Sequence, residues 1–328
     1  MPKTFDPSHT PFELPIEVVT WRLPGRDLGP QSISDGTLAL ALAFKASLWR
    51  AGCLHASRGE MACADRALPG VRGGLVCAEA GACAANLLMP LDPKRQDYLP
   101  ARVAARLESG SQGKLFVRLD LRGRRAQPMR GLAITALQLA LRLVRYGQPG
   151  KLDAPSVEHV CAARRAEPWL AGSPRPIVLE AVTPWMLDKA APSAKFDSAA
   201  LARRFADGFA GHAAQRLYKY VALALAEDDT DLTPGEQNDL CVRARDRARE
   251  ALAAPNVRWI GGSACIENQR NSASNGRRFR GVTIVGGTLE VRHPTPAQAA
   301  WLAALESLGG GELTSEGYGC LRWQAGAE

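Results

Sequence analysis

A glycine-rich segment near the C-terminus is the feature that most constrains the fold of this chain. Residues 309–319 read GGGELTSEGYG and stand between an amphipathic helix and a final strand predicted at 320–324. Glycine has no Cβ atom, so its backbone can closely approach a packed strand or a phosphate, and successive N–H groups can form an anion-binding turn. The segment therefore predicts close backbone packing, anion binding or both. Its glycines are Gly309, Gly310, Gly311, Gly317 and Gly319.

The helix before this segment has clear limits in the sequence. Thr295 is a suitable N-cap, and Pro296 suits the first helical position because its φ angle is already fixed. Apolar residues recur at helical spacing as far as Leu308, which predicts one buried face. Gly309 is expected to end the helix.

The rest of the second half predicts strands and helices in the order β-α-β-β-α-β. Apolar parity changes within the second hairpin strand, because Val282 and Ile284 share one face whereas Leu289 and Val291 share the other. A β-bulge at Gly286–Gly287 is predicted to reset the faces. The predicted strands are 175–185, 256–264 and 279–293, and the predicted helices before the last one are 198–227 and 234–253.

Two of these segments resemble a known family. The hairpin NGRRFRGVTIVGGTLEV and the loop LGGGELTSEGYG resemble the C-terminal half of the CRISPR repeat-RNA-processing endoribonucleases of the RAMP superfamily. The motif match covers residues 255–324, and the rest is matched by element order. Many members have a His two residues before a loop glycine, followed by Lys and Thr, whereas here Leu308 leads into Gly309. This departure and the helical insertion point to a divergent branch, with the type IV systems as one candidate.

The resemblance implies an α+β fold of tandem ferredoxin-like (RRM/RAMP) domains. The first would span 1–168 with an irregular insertion at about 53–110, where Ala, Gly, Cys and Pro obscure any periodicity. The second would span 169–328, with a helical finger at about 230–254 and the glycine-rich loop at 309–319. In the first half, strands are predicted at 15–23, 115–122 and 157–164, and helices at 36–51 and 132–144.

The strand at 115–122 has the clearest pattern of the first half. Leu115, Val117, Leu119 and Leu121 alternate with Phe116, Arg118, Asp120 and Arg122. Strict alternation of this kind predicts a half-buried strand with one polar, solvated face.

Charge favours a nucleic-acid partner. The chain has 41 Lys and Arg against 33 acidic residues, a formal charge of +8, and most of its cations are Arg. Guanidinium groups bind phosphate bidentately and stack on bases. A genome that prefers Arg codons would produce the same bias, so the clustering of the cations matters more than their number.

Cysteine usage and hydropathy predict a cytoplasmic protein without metal or cofactor. The eight cysteines show no C-x-x-C spacing, and the N-terminal MPKTFDPSHT has no apolar run of signal-peptide type. No stretch is apolar enough to span a bilayer. A zinc site from Cys53, His55, Cys63, Cys77 and Cys83 is the alternative, but such uneven spacing is more typical of packed or free thiols.

The predicted hairpin tip, ENQRNSASNGRRFR, is strongly basic. Arg270, Arg277, Arg278 and Arg280 stand against the single acid Glu267. In the family, a hairpin at this place enters the groove at the base of the repeat stem-loop and contacts phosphates and shape. The alternative is a solvated turn without a ligand.

Two further cation clusters are candidates for RNA contact. In the helix LCVRARDRAREAL, one pair of arginines shares a face and the other lies roughly opposite, so the helix is either an RNA-binding finger or a surface helix with ion pairs. The second cluster ends the strand at 115–122 and can line a cleft between the lobes. The residues are Arg243, Arg245, Arg247 and Arg249 in the helix, and Arg122, Arg124, Arg125 and Arg130 after the strand.

Metal-independent RNA cleavage needs a base for the 2′-hydroxyl, an acid for the leaving 5′-oxygen and cations for the phosphorane. Family members often supply a His near the first helix, and the resemblance assigns this role to His55. Arg22, Arg26 and Arg243 are the candidate cations, because Arg stays protonated and is a poor base. His9, His159 and His293 have weaker claims.

The implied function is CRISPR RNA maturation. The chain would bind the repeat stem-loop of precursor CRISPR RNA, cut at its 3′ base and remain on the mature guide RNA with other effector subunits. One alternative is a non-catalytic RAMP subunit that holds guide RNA. The other, a phosphate-loop enzyme, would need G-x-x-x-x-G-K-[ST] after a strand, whereas this loop follows a helix and lacks the Lys.

Overall fold

The computed structural model describes residues 14–23, 30–60, 82–90, 101–109, 114–144, 155–160, 176–188, 197–227, 232–270, 278–310 and 319–323. Within these ranges the chain has an α+β fold of helices and antiparallel sheets. This fold class was predicted from the sequence and is confirmed.

The N-terminal unit has one four-stranded antiparallel sheet in the order β2-β3-β1-β4. This is the strand order that a β-α-β-β-α-β unit requires. Its elements are β1 (Ile16–Arg22), α1 (Pro30–Gly52), α2 (Leu54–Ser57), α3 (Ala84–Leu88), β2 (Val103–Ser109), β3 (Leu115–Arg122), a 3₁₀ turn (Gln127–Met129), α4 (Arg130–Leu143) and β4 (Ser156–Val160).

The C-terminal unit repeats this order with longer, broken strands. One sheet has the order β11-β5-β10-β7, and the continuations of three of these strands form a second sheet in the order β6-β9-β8. Its elements are β5 (Ile177–Ala181), β6 (Trp185–Asp188), α5 (Ser198–Glu227), α6 (Pro234–Leu252), β7 (Val257–Ile260), β8 (Ser263–Arg270), β9 (Arg278–Val285), β10 (Thr288–Val291), α7 (Pro296–Leu308) and β11 (Leu321–Trp323). Their treatment as two separate domains stays a prediction.

The chain breaks between β9 and β10, at the position where a β-bulge was predicted. Gly286 and Gly287 have φ angles of 69° and 100°, which glycine adopts readily. Ile284 before the break and Leu289 after it are both fully buried, so the faces are reset as predicted. A Cβ atom on Gly287 would lie 2.7 Å from the Trp259 ring, so this position also needs glycine for space.

The limits of α7 are also confirmed. Thr295 accepts a hydrogen bond from the Gln298 backbone N–H, and the Gln298 side chain accepts from the Thr295 N–H, which completes a capping box. The helix ends at Gly309, whose φ is 76°.

Two predictions for the N-terminal unit were wrong. The segment 53–110 was interpreted as an irregular insertion, but Val103–Ser109 forms β2, the second strand of the sheet. The strand at 115–122 was predicted to be half-buried, but seven of its eight residues are buried. Its polar face is covered because the C-terminal unit packs on it.

One face of the N-terminal sheet therefore packs on helices of its own unit, and the other face packs on the C-terminal unit. Val117, Leu119 and Leu121 pack with α1 and α4 in the N-terminal core. On the other face, Ile16 and Val18 belong to the core of the C-terminal unit. The polar residues of β2 and β3 on that second face are buried between the units.

Candidate nucleic-acid interface

The β8–β9 hairpin continues beyond the sheet that contains its base. β6 pairs with β9 only from Val282 to Ile284, whereas β8 pairs with β9 along its whole length as far as Arg270 opposite Arg278. Among the described residues, the outer half of this hairpin is a two-stranded ribbon. At about 3.4 Å per residue, the two-stranded part from Gly281 to Arg278 is roughly 10 Å long.

The register places the described arginines of the hairpin on one face of the ribbon. Arg270 pairs with Arg278 and Asn268 pairs with Arg280, and paired residues of an antiparallel ladder share a face. Arg278 and Arg280 are two residues apart and therefore share it as well. Arg277, the fourth predicted cation, lies outside the described residues.

The two ends of the glycine-rich loop are held together. The Gly310 N–H donates to the Gly319 carbonyl at 2.7 Å, and the Gly319 N–H donates to the Pro184 carbonyl at 2.8 Å. A Cβ on Gly310 would lie 2.0 Å from the Trp185 ring, and one on Gly319 would lie 1.7 Å from the Gly310 carbonyl oxygen. This pair of glycines, with Gly309, forms the neck of the loop.

The neck does not form the anion-binding turn that the sequence predicted. The N–H groups of Gly309, Gly310 and Gly319 all donate to carbonyls of the protein, Gly309 to Leu305. Gly310 and Gly319 are required for close backbone packing, which the sequence also predicted, and Gly309 adopts a positive φ angle. Gly311 and Gly317 lie outside the described residues, so their predicted RNA contacts stay predictions.

Buried arginines surround the helix end from which the loop emerges. The carbonyls of the last residues of α7 and of the following glycine accept hydrogen bonds from three guanidinium groups. Arg106 donates to Glu306 at 3.4 Å, Arg122 to Ser307 at 2.6 Å, and Arg216 to Leu308 at 3.4 Å and to Gly309 at 3.3 Å. We call these three residues the arginine clamp.

Arg122 was predicted to contact RNA, and its position argues against that role. The side chain is only 4% exposed and also donates to the Ala101 carbonyl. Burial lowers the pKa of Arg122 to about 10, so it is still protonated at neutral pH. Arg122 is therefore a contact between the two units, because the face on which it lies is covered by α7.

Acidic residues compensate the charge of the clamp. Arg118 donates to Asp120 at 2.6 Å and to Glu108 at 3.2 Å, and Arg106 donates to Glu108 at 2.9 Å. Burial alone would raise the pKa of Asp120, but Arg118, Arg106 and Arg122 outweigh it and hold it at about 2. Burial would also raise the pKa of Glu108, but Arg106 and Arg118 outweigh it and keep this pKa below its usual range. This buried network is therefore ionised at neutral pH.

Arg22 lies at the end of the N-terminal sheet where β3 begins. It is the exposed last residue of β1 and pairs with Phe116, which in turn pairs with Glu108. Glu108 lines a small cavity with Cys320 and Arg322, directly after the neck. Arg26, the neighbouring candidate, lies outside the described residues.

His55 lies in α2, just after α1, and donates or accepts a hydrogen bond with the exposed Glu60 at 2.9 Å. A Cβ atom on Gly52, three residues before His55, would lie 2.7 Å from Leu132 in α4 and 3.3 Å from Ala85 in α3. The end of α3 is hydrogen-bonded to Arg102, at the start of β2. His55 therefore lies at the end of the sheet where β3 finishes.

The predicted catalytic residues are consequently not brought together. Arg22 pairs near the start of β3, at Phe116, and His55 lies near its end at Arg122. Six residues of strand separate these positions by roughly 20 Å. The ribbon is farther still from His55, as the length of α5 shows. This helix begins at Ser198, which is hydrogen-bonded to Ala264 in β8, and ends at Glu227, which is hydrogen-bonded to Arg102 near His55. Its 30 residues span about 45 Å.

The end of the sheet that carries His55 also carries exposed cations. Arg124 and Arg125 follow β3 and are exposed, and their predicted RNA contact stays a prediction. His159 had only a weak claim from the sequence. It lies 4.0 Å from the buried carboxylate of Glu17, and Arg130 binds the same carboxylate at 3.1 Å. The sequence signal for this group was that Glu17 is a charged residue within the mostly apolar strand β1.

The helical finger, α6, packs along α5 and presents mixed charge. Its buried face contains Cys241, Ala244, Ala248 and Leu252. Arg243, Arg247 and Arg249 are exposed, and Arg245 is half-buried and binds Asp246 at 2.8 Å. Arg243 thus lies on an outer face, and no described contact joins it to Arg22 or His55.

The described residues contain no cluster of His, Cys, Asp and Glu that could hold a metal ion. Cys53 and Cys83 are buried beside Trp49 and Ala85, as expected for packed thiols. Cys63 and Cys77 lie outside the described residues. Within the described ranges, none of the helices has the length and hydropathy needed to cross a membrane.

No protein-family model matches this sequence, and no curated protein matches it either. Among solved structures, the chain is similar to part of a "Partial Cas6-RT-Cas1--Cas2 complex" and of a "Cas6-RT-Cas1--Cas2 complex", each with 11% identity, a TM-score of 0.45 and 96% of this chain covered. It is also similar to Thermus thermophilus Cse3 bound to an RNA representing a pre-cleavage complex, with 14% identity, a TM-score of 0.29, 95% of this chain and 100% of that chain covered. The aligned regions cover 47% and 29% of the first two matched chains, so this chain spans less than half of their length.

Proposed function

We propose that this chain binds the repeat stem-loop of precursor CRISPR RNA and cleaves it at the 3′ base of the stem. The observation that carries the binding part is the register of the β8–β9 ribbon, which places Arg270, Arg278 and Arg280 on one face. A row of guanidinium groups on a projecting ribbon suits a phosphate backbone, where most contacts of a structured RNA are made.

The proposed RNA-binding surface runs from the ribbon to Arg22. Trp185 pairs with Ile284 at the base of the ribbon and packs on Gly310 at the neck. The residues after the neck line the cavity that reaches Glu108, two strands from Arg22 in the sheet. A stem bound along the ribbon would thus bring its base towards the neck, from which β11 leads to the Arg22 end of the sheet, where Arg322 donates to the Ser109 carbonyl.

In the proposed reaction, the 2′-hydroxyl attacks the adjacent phosphorus, and the bond to the 5′-oxygen of the next nucleotide breaks. The products are a 2′,3′-cyclic phosphate and a 5′-hydroxyl, and no metal is needed. Arg22 would stabilise the charge of the phosphorane, which a protonated guanidinium does well. His55 is the proposed acid or base, and this mechanism requires that RNA binding bring His55 and Arg22 to the same phosphodiester.

A second function is favoured by the separation of His55 from Arg22. Acid, base and phosphate-binding groups must lie within hydrogen-bond reach of one phosphodiester. If these residues stay roughly 20 Å apart in the RNA complex, the chain would hold guide RNA in an effector complex without cutting it. Either function implies precursor or guide RNA and other effector subunits as partners, in the cytoplasm, and domains at 1–168 and 169–328.

Single-turnover cleavage in EDTA separates the two functions. The substrate is a 5′-labelled RNA carrying one repeat from a CRISPR array of the source genome, and the control RNA has the same composition with an unpaired stem. One cut at the 3′ base of the stem supports the endoribonuclease. Binding without a cut supports the guide-holding subunit. Equal affinity for both RNAs would refute recognition of the stem-loop.

The His55→Ala variant then tests the assigned acid or base. We expect its cleavage rate to fall by about 10²-fold or more, as is usual when a general acid or base is lost, with little change in RNA affinity. Asn86→Ala, at the same end of the N-terminal unit, is the control. A wild-type rate for His55→Ala would remove His55 from the mechanism.

A further inference from the structure

The arginine clamp takes up four successive carbonyls at the end of α7, residues 306 to 309. The last four carbonyls of a helix have no partner within the helix and are usually satisfied by the following turn or by water. Here their partners come from β2, β3 and α5. Two of these three elements belong to the N-terminal unit.

The clamp is poorly explained by stability alone. Buried ion pairs add little to stability compared with apolar packing of the same volume. Among the described residues, Arg106 Nη2, Arg118 Nη2 and Arg122 Nε have no hydrogen-bond partner, which adds to the cost of burying them. An arrangement of this kind fixes the direction of the groups that it does bind, because a guanidinium donates along fixed directions in one plane.

The groups that the clamp binds lead directly into the neck. Gly309 accepts from Arg216, and the next residue, Gly310, pairs with Gly319 and packs on Trp185. Gly310 and Gly319 leave no space for a Cβ atom, so the neck has one arrangement relative to the end of α7. A shift of that helix end would therefore move both ends of the loop.

We infer that Arg122 and Arg216 are positioning residues for RNA binding, because they fix the neck, which packs on Trp185 at the base of the β8–β9 ribbon. This inference rests on the proposed function, which assigns the ribbon to the RNA-binding surface. It also makes the neck of the C-terminal unit depend on β3 of the N-terminal unit. The cations themselves do not touch RNA.

Arg102 offers a matched control. It is buried to the same degree as Arg122, 3% against 4% exposed, and it also joins the two units, through Glu227 at 2.9 Å. Its contacts are with Glu227 and the Leu87 carbonyl, and it does not contact α7. A variant at Arg102 therefore weakens the contact between the units without releasing the neck.

The experiment compares Arg122→Gln and Arg216→Gln with Arg102→Gln in the full chain. The first readout, without RNA, is amide hydrogen exchange at Gly310 and Gly319. The second is affinity for the repeat hairpin, measured about 10 °C below each variant's Tm so that only folded protein is compared. Arg122→Lys tests rescue, because Lys keeps the charge and one donor direction.

We expect about tenfold faster exchange at the neck and about tenfold weaker RNA binding for the two Gln variants, with both quantities near wild type for Arg102→Gln. Arg122→Lys should recover part of each. Equal effects in Arg102→Gln, or unchanged exchange in the other two, would overturn the inference.

If a Gln variant does not fold, Arg216→Lys replaces it, and its exchange rate is judged by the same criterion. If wild-type protein binds no repeat RNA, the proposed function fails, whereas the exchange readout still decides whether the clamp fixes the neck.

Discussion

At the scale of single residues, glycine is used here where a Cβ atom does not fit. Gly310 packs against the Trp185 ring and Gly287 against the Trp259 ring, and the two tryptophans contact each other with centroids 5.9 Å apart. The hairpin and the loop thus meet on one aromatic cluster. Residue type alone suggested these sites, but only the structure shows which ring each glycine touches.

Gly310→Ala should destabilise the protein because the new methyl group would overlap Trp185. We expect a loss of about 1–3 kcal/mol in the free energy of unfolding, as is typical of overpacking, measured by urea denaturation. Gly131→Ala in α4, where a Cβ meets nothing within 4 Å, is the control and should gain about 0.5 kcal/mol. Native stability in Gly310→Ala would contradict the close contact.

Asp120 predicts a specific dependence of stability on pH. Its folded pKa is about 2 against an ordinary 3.8, so it contributes stability that is complete above pH 3.8 and is lost as the pH falls towards 2. The shift corresponds to about 2 kcal/mol. In Asp120→Asn, the drop in unfolding free energy between pH 4 and pH 2 should be smaller by this amount. Parallel curves for the two proteins would show that Asp120 is not paired with the arginines.

At the scale of elements, the sequence predicted what local patterns specify. The helix at 198–227 and the strand at 115–122 have the predicted limits, because their periodicity is unbroken. β2 was missed since Ala104 and Ala105 weaken its alternation inside an Ala- and Gly-rich stretch. The burial of its polar residues could not be predicted either, because no local pattern shows that a second unit covers that face.

The same reasoning explains the outcome for the candidate site. The basic hairpin was visible as an acid-poor stretch, and its register agrees with a cationic face. The position of His55 relative to Arg22 depends on the length of α1, which begins at Pro30 rather than at residue 36 and carries the chain across the sheet. Sequence alone also could not distinguish the buried Arg122 from the exposed Arg124.

The ribbon should respond to charge removal with opposite signs in stability and binding. Arg278 faces Arg270 across the ladder, so Arg278→Thr should stabilise the free protein by a few tenths of a kcal/mol. The same change should weaken RNA binding and lower the slope of log affinity against log salt by about 1. The control, Arg142→Thr on α4, removes the same charge away from the ribbon. If Arg278→Thr leaves the salt slope at its wild-type value, the ribbon does not contact phosphates.

At the scale of the whole molecule, buried charges join the two units. Arg102 and Glu227 form an ion pair with side chains 4% and 3% exposed, and Glu227 also accepts from the Arg125 N–H. Ile16 and Val18 of the first sheet lie in the core of the C-terminal unit. The core of the C-terminal unit is therefore incomplete without the first sheet.

The two units should consequently unfold in one cooperative transition. Glu227→Gln removes one partner of a buried pair and should destabilise both units together, by about 3–5 kcal/mol. The measurement is urea denaturation followed by tryptophan fluorescence and by far-UV circular dichroism, with Glu236→Gln on the exposed start of α6 as the control. Separate transitions for the two probes in wild-type protein would show that the units are independent.

The hydrogen bond between Gly310 and Gly319 has a consequence for engineering and for divergence among relatives. Because the ends of the segment are fastened to each other, its length does not set the spacing of α7 and β11. A chimaera that carries a longer or shorter segment between these glycines should keep the parent scaffold. Under the proposed function, the RNA preference can then change by exchange of this one segment while the surrounding architecture is inherited unchanged.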